Sequence, residues 1–157
     1  MSSRRLQLVW SIKSAPTAVI KVAFASTDRT RVNQHFGAAE GFVIYEVTPD
    51  KATLVGIGEF AEEAMDGNED KLTAKVDFLE GCAAVYVMAI GASAIKKLMA
   101  KGVQPIRINE IDAVDDLLGD ISRAMSAGGV AWIERAIAAQ TKAEDRFAGM
   151  EAEGWEG

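Results

Sequence analysis

The stretch Gly81-Cys82-Ala83-Ala84-Val85-Tyr86-Val87-Met88-Ala89-Ile90-Gly91-Ala92-Ser93-Ala94 decides the fold. Ala83 to Met88 is apolar without interruption, the pattern of a strand covered on both faces, as in a parallel sheet. Helical patterns flank it. Before it, Leu72, Val76 and Leu79 fall at helical spacing, with Asn68 as a cap, Glu69 and Asp70 in a favourable first turn, and Gly81 as the stop. After it, Ala92 to Lys101 reads as a helix with Ile95, Leu98 and Met99 inward, stopped by Gly102. Val103 to Ile108 then supplies another short strand. A strand set between two helical patterns in this way marks parallel crossover units.

Upstream the rhythm is different. Val19 to Ala25 is apolar except for Lys21, and Phe42 to Val47 is rich in β-branched and aromatic residues. Thr48-Pro49-Asp50-Lys51 has turn chemistry, so Ala52 to Phe60 pairs back as a hairpin partner. Downstream, Val114, Leu117, Leu118, Ile121 and Met125 form a helical stripe broken by Gly128-Gly129, and a last helix runs from about Val130 to Phe147. The order βββ-α-β-α-β-α-α predicts an α/β fold with one mixed five-stranded sheet and helices on both faces. Right-handed crossovers put the fourth and fifth strands beside the first, giving the ribonuclease H-like order 3-2-1-4-5. The expected organisation is a flexible arm over 1–17, a single domain over 18–149 and an acidic tail over 150–157, Glu151-Ala152-Glu153-Gly154-Trp155-Glu156-Gly157.

A length of 157 residues suits one domain with a core that needs no staples. The formal net charge of −6 argues against a general nucleic-acid binder. With one Cys (Cys82) and one His (His35), a chain can form neither an internal disulfide nor a Cys/His zinc site, and it cannot ligate a resident four-cysteine cluster. The longest apolar run, Ala83 to Ile90, is too short to span a membrane, and Leu6 to Ile12 is broken by Gln7 and Ser11, unlike a signal peptide. The expected location is therefore the cytoplasm, with no membrane partner.

Open α/β sheets bind ligands at the carboxyl ends of their parallel strands. Two connections leave that edge. One is Ser26 to Glu40, too long for an ordinary hairpin loop and therefore a functional candidate, which contains Arg29, Arg31 and the single His35. The other is the turn leading into Gly91, Ala92 and Ser93, a helix N-terminus of the kind that favours anions. Residues 1–37 carry six basic side chains against Asp28 alone, so an acidic protein keeps a basic region around its histidine. Cys82 precedes the fourth strand and falls at the opposite edge, where a small hydrophobe is expected.

Enzymatic readings lack residues. Two-metal nucleases of this fold need several converging carboxylates. Here the first strand offers only Asp28 beyond its end, and the fourth offers no acid. Gly91-Ala92-Ser93-Ala94 lacks the phosphate-loop lysine, and Ser26, Asp28 and His35 have no spacing that argues for a triad.

The run of His35-Phe36-Gly37, Phe42-Val43-Ile44-Tyr45, Asn68-Glu69-Asp70-Lys71-Leu72, Gly81-Cys82, Gly91-Ala92-Ser93-Ala94 and Gly102-Val103-Gln104-Pro105, in that order and spacing, resembles the dinitrogenase iron–molybdenum cofactor biosynthesis (NifX/NafY) family. The similarity runs from about residue 19 to the end. It implies a ribonuclease H-like fold and a non-enzymatic carrier in nitrogen fixation. Such a carrier binds iron–sulfur cluster precursors of the cofactor transiently, with NifB and the NifEN scaffold as partners. It also implies His35 as the metal-binding candidate; from the residues themselves, Arg29 and Arg31 in the same loop and the helix start at Gly91, Ala92 and Ser93 are expected around the cluster. Some relatives carry extra thiols before the Gly-Ala-Ser turn, where this chain has Met88, Ala89 and Ile90. The alternatives are a cluster-free regulatory protein acting through its helices and tail and, behind it, a metal-dependent hydrolase.

Overall fold

β1 (Ile20–Ala25) is buried along its length except at Lys21, because a strand lies on each side of it and helices cover both faces. Its neighbours are antiparallel β3 (Gly41–Val47), with Ile20 opposite Val47 and Ala25 opposite Phe42, and parallel β5 (Ala84–Val87), with Val22 opposite Ala84. β4 (Ala52–Glu59) pairs antiparallel with β3 through an irregularity between Ile44 and Tyr45, and β6 (Gln104–Arg107) pairs parallel with β5. The five-stranded sheet runs β4-β3-β1-β5-β6. The computed structural model describes residues 18–60 and 69–142. The arm over 1–17, the tail over 150–157 and Asn68 lie outside these residues.

Alternation along the strands divides the core in two. Ala23, Ala25, Val85 and Val87 face α1 (Glu69–Phe78) and α2 (Ala92–Ala100), together with Val76, Leu79 and Leu98. Val22, Phe24, Ala84 and Tyr86 face α3 (Val114–Ala127) and α4 (131–142), together with Leu117, Leu118, Ile121 and Ile133. Each fully buried Leu, Val or Phe contributes roughly 1.5–3 kcal/mol. Rings close the second layer, with Phe24 stacked on Tyr86 at 5.2 Å and Trp132 edge-on to Tyr86 at 6.4 Å.

One expectation is corrected. The α2 stripe is rotated: Ala94 and Leu98 face the sheet, whereas Ile95 and Met99 are 37% and 53% exposed. Ala94 and Leu98, one turn apart, define the inward line of the helix, and Ile95 and Met99 lie beside it toward solvent. The long connection after β1 also carries a short strand, which sequence reasoning does not foresee. Within it, β2 (Arg31–Val32) pairs antiparallel with β7 (Asp112–Ala113), forming a separate two-stranded ribbon just before α3.

Candidate functional site at the carboxyl edge

The connection leaving β1 begins with a tight turn. The Ser26 N–H donates to Gly41 O at 3.0 Å, an approach so close that a Cβ on Gly41 would lie 2.8 Å from Ser26 O. Asp28 Oδ1 accepts from the Thr30 and Arg31 N–H groups at 2.9 and 3.0 Å, and Asp28 Oδ2 accepts from Arg31 Nε at 2.9 Å. The Thr30 backbone bond, then the Arg31 guanidinium, hold the Asp28 carboxyl well below the usual carboxylate range. The turn sets Arg29 at φ 67°, a left-handed conformation uncommon for a side-chain-bearing residue.

The chain then returns to the sheet. The Asn33 N–H donates to Ala25 O at 3.2 Å, the Met88 N–H donates to Gln34 O at 2.9 Å, and the Phe36 N–H donates to Ala89 O at 2.8 Å. His35 is therefore the middle residue of a segment stitched to the chain just beyond the end of β5. Successive side chains of an extended segment point to opposite sides. Phe36 is fully buried, and His35 is exposed. Phe36 heads a chain of rings, Phe36–Phe42–Phe60–Phe78, with centroids 5.6, 5.8 and 5.7 Å apart, that ends on α1.

Three residues past the Phe36–Ala89 bond, α2 opens at Ala92 with Gly91 as its extended N-cap. It has no side-chain cap bond and no acidic residue in its first turn. The structure thus brings His35 beside the segment that leads into Gly91, Ala92 and Ser93.

It disposes of the arginines differently. Arg29 pairs with Glu59 of β4 at 2.9 Å and lines a cleft of about 790 Å³ against the β3–β4 hairpin, with Asp28, Glu40 and Phe60. Arg31 pairs with Asp28 at 2.8 Å beside the β2–β7 ribbon. Each guanidinium thus has a carboxylate partner, Arg29 from the β3–β4 hairpin and Arg31 from its own turn.

Sequence reasoning missed Lys75. Its side chain is 7% exposed, and its ammonium donates to Gly37 O at 2.8 Å, with Phe36 O at 3.5 Å. Burial, and then repulsion from Lys71, lower its pKa below the ordinary lysine value. A signal was present. Lys75 follows Leu72 by three residues and precedes Leu79 by four, which places it on the inward stripe of α1.

Cys82 lies at the other edge. It is buried at the start of β5, in the α1–α2 layer of the core, and burial pushes its thiol up to about 11. Among the described residues no three of His, Cys, Asp and Glu converge as a metal site would need. Among them, too, no helix is long and apolar enough to cross a membrane.

A mixed five-stranded sheet between two helix pairs, offering one exposed imidazole on its carboxyl edge, defines a small α/β protein with a sparse ligand edge. The profile of the dinitrogenase iron–molybdenum cofactor family matches residues 18–124, and the chain belongs to that family. It is 45% identical to NifX of Azotobacter vinelandii over 158 residues, covering 99% of both chains. It is 35% identical over 111 residues to the FeMo cofactor biosynthesis protein NifB of Frankia alni, covering 68% of this chain and 21% of that one. The crystal structure of PH0822 superposes with a TM-score of 0.52 at 20% identity, over 66% of this chain and 88% of that one, which supports the fold.

Proposed function

We propose that the chain is a non-enzymatic carrier in nitrogen fixation. In this reading it works in the cytoplasm on a ribonuclease H-like fold. It holds an iron–sulfur precursor of the iron–molybdenum cofactor for a short time, receiving it from NifB and exchanging it with the NifEN scaffold. Family membership supports the pathway, and likeness to part of a NifB supports the link to that protein.

The observation that carries the reading is the exposed His35, fixed on both sides by backbone bonds to Met88 and Ala89 beside the start of α2. A preassembled cluster brings its own bridging sulfides and a net negative charge. One neutral imidazole can take an iron position, and the helix N-terminus favours the anion. So few protein ligands suit a hold that must be released. A resident cluster needs more protein thiolates than this chain owns.

The test is anaerobic titration with the isolated NifB product, followed by gel filtration, absorption and iron analysis. The wild type is expected to elute brown. His35→Ala is expected to keep its fold and lose about tenfold or more in retention, the order expected when a metal-site ligand or its support is removed. Equal retention by both proteins removes His35 as a ligand, and a colourless wild type removes the carrier reading.

A further inference from the structure

The carboxyl edge has an electrostatic imbalance. Both arginines of the loop are paired, Arg29 with Glu59 and Arg31 with Asp28. Lys75, by contrast, is buried beneath the same loop, and among the described residues no carboxylate pairs with it. Its bonds run to the carbonyl groups of Phe36 and Gly37, which are dipoles and not charges. A buried ion is costly unless a counter-charge compensates it. The cost is retained here at the two residues that follow His35.

We propose that Lys75 is the built-in counter-charge and positioning residue of the His35 loop: it holds the Phe36 and Gly37 carbonyls in place, and it supplies the positive field that an anionic metal–sulfur cluster meets on arrival. The inference rests on the carrier reading and adds the source of its charge recognition. The exposed arginine pairs are screened by solvent, whereas a cation covered by the loop is screened less. An arriving anion supplies the counter-charge that no carboxylate among the described residues provides, and its departure restores the cost. That gives a hold which is favourable and still reversible.

The experiment uses the full chain and a synthetic [4Fe–4S] cluster carrying four thiolates, a dianion, under anaerobic conditions. One thiolate leaves as the imidazole binds. Lys75→Met removes both charge and donor, Lys75→Gln keeps a donor without charge, and Lys75→Arg keeps both. Retention is expected to fall about tenfold in Lys75→Met and Lys75→Gln and to be rescued by Lys75→Arg, because charge-assisted contacts are the strong ones. A lysine serving only to pack would show no such dependence on charge. A second readout needs no variant. In the wild type, the reduced paramagnetic cluster should broaden the Lys75 side-chain resonances and spare those of Lys51.

If His35→Ala loses the cluster while Lys75→Gln retains it like the wild type, the Lys75 proposal is overturned and the carrier reading stands. If the Lys75 resonances stay sharp while the cluster is bound, the proposal is equally overturned. If the wild type binds no cluster, the carrier reading falls and takes the proposal with it.

Discussion

At the carboxyl end of β1 and β5, the chain's one histidine is exposed on a segment stitched to the sheet by backbone bonds. At the amino end, its one cysteine is 4% exposed and packed among Val76, Leu79 and Val103. A cleft of about 970 Å³ opens on that side, lined by Lys21, Lys101 and Trp132 as well as Cys82, yet the thiol itself stays covered. Both residue types can bind iron. Their positions separate them: after a strand, the loop can lift a side chain to the surface while its neighbour anchors it. Before a strand, the helix-to-strand turn drives the side chain into the layer between helix and sheet. Availability to a ligand thus follows from which end of the parallel strands a residue occupies.

The largest expected break in this comparison comes from the anchor. Phe36 is fully buried and ends the four-ring chain, so Phe36→Ala should cost about 3–5 kcal/mol, measured by denaturant unfolding. Cluster retention should fall with it although His35 is intact, because the imidazole is no longer held beside α2. Retention unchanged in a folded Phe36→Ala protein would show that the histidine needs no fixed platform. His35→Ala makes the opposite separation: retention falls about tenfold, and stability moves by no more than about 0.5 kcal/mol, as for an exposed residue.

The amino end gives a smaller effect. Cys82→Ala should cost roughly 1 kcal/mol and leave retention unchanged. The thiol's reactivity has a definite sign with pH. The thiolate is the nucleophile, and burial raises the folded pKa from 9.0 to about 11. The folded state favours the neutral thiol, and the stability linked to it is complete below pH 9 and is lost as pH rises through about 11. Alkylation of the native protein by iodoacetamide at pH 8 should therefore be slow beside the same reaction in urea, and should accelerate only toward pH 11. Rapid native alkylation at pH 8 would show that Cys82 is more available than its burial indicates.

Much of this was legible in the sequence. The unbroken apolar run Ala83 to Met88, between two helical patterns, reads as a strand covered on both faces, and that sets which edge carries His35 and which carries Cys82. The stripe of Val114, Leu117, Leu118 and Ile121 packs as its spacing says, with all four buried. The misses share a cause, which is that they depend on partners distant in the chain. The β2–β7 ribbon joins Arg31 to Ala113, and nothing in a two-residue strand announces its partner. The α2 face was ambiguous because Ala94, Ile95, Leu98 and Met99 are all apolar, and only Ala94 and Leu98 are buried. The pairing of the loop's charge was not legible, because counting basic residues cannot show that Glu59, from another hairpin, pairs with one of them.

That last point carries the smallest predicted effect. The two arginine pairs are exposed, with more than half of each arginine side chain accessible, and such pairs contribute little to stability. Because each arginine is already compensated, its removal exposes the carboxylate it served and shifts the local charge by one unit in a well-solvated place. The double substitution Arg29→Ala with Arg31→Ala should therefore change stability by less than about 1 kcal/mol. Cluster retention should fall by no more than about threefold, and that loss should fade as salt is raised from low ionic strength, where the Debye length shortens from about 30 Å to 8 Å. Retention measured across a salt series decides the matter. A loss of tenfold or more that survives at high salt would mean that the guanidinium groups leave Glu59 and Asp28 to grip the cluster directly, and the charge at this edge would then belong to the loop and not to the buried Lys75.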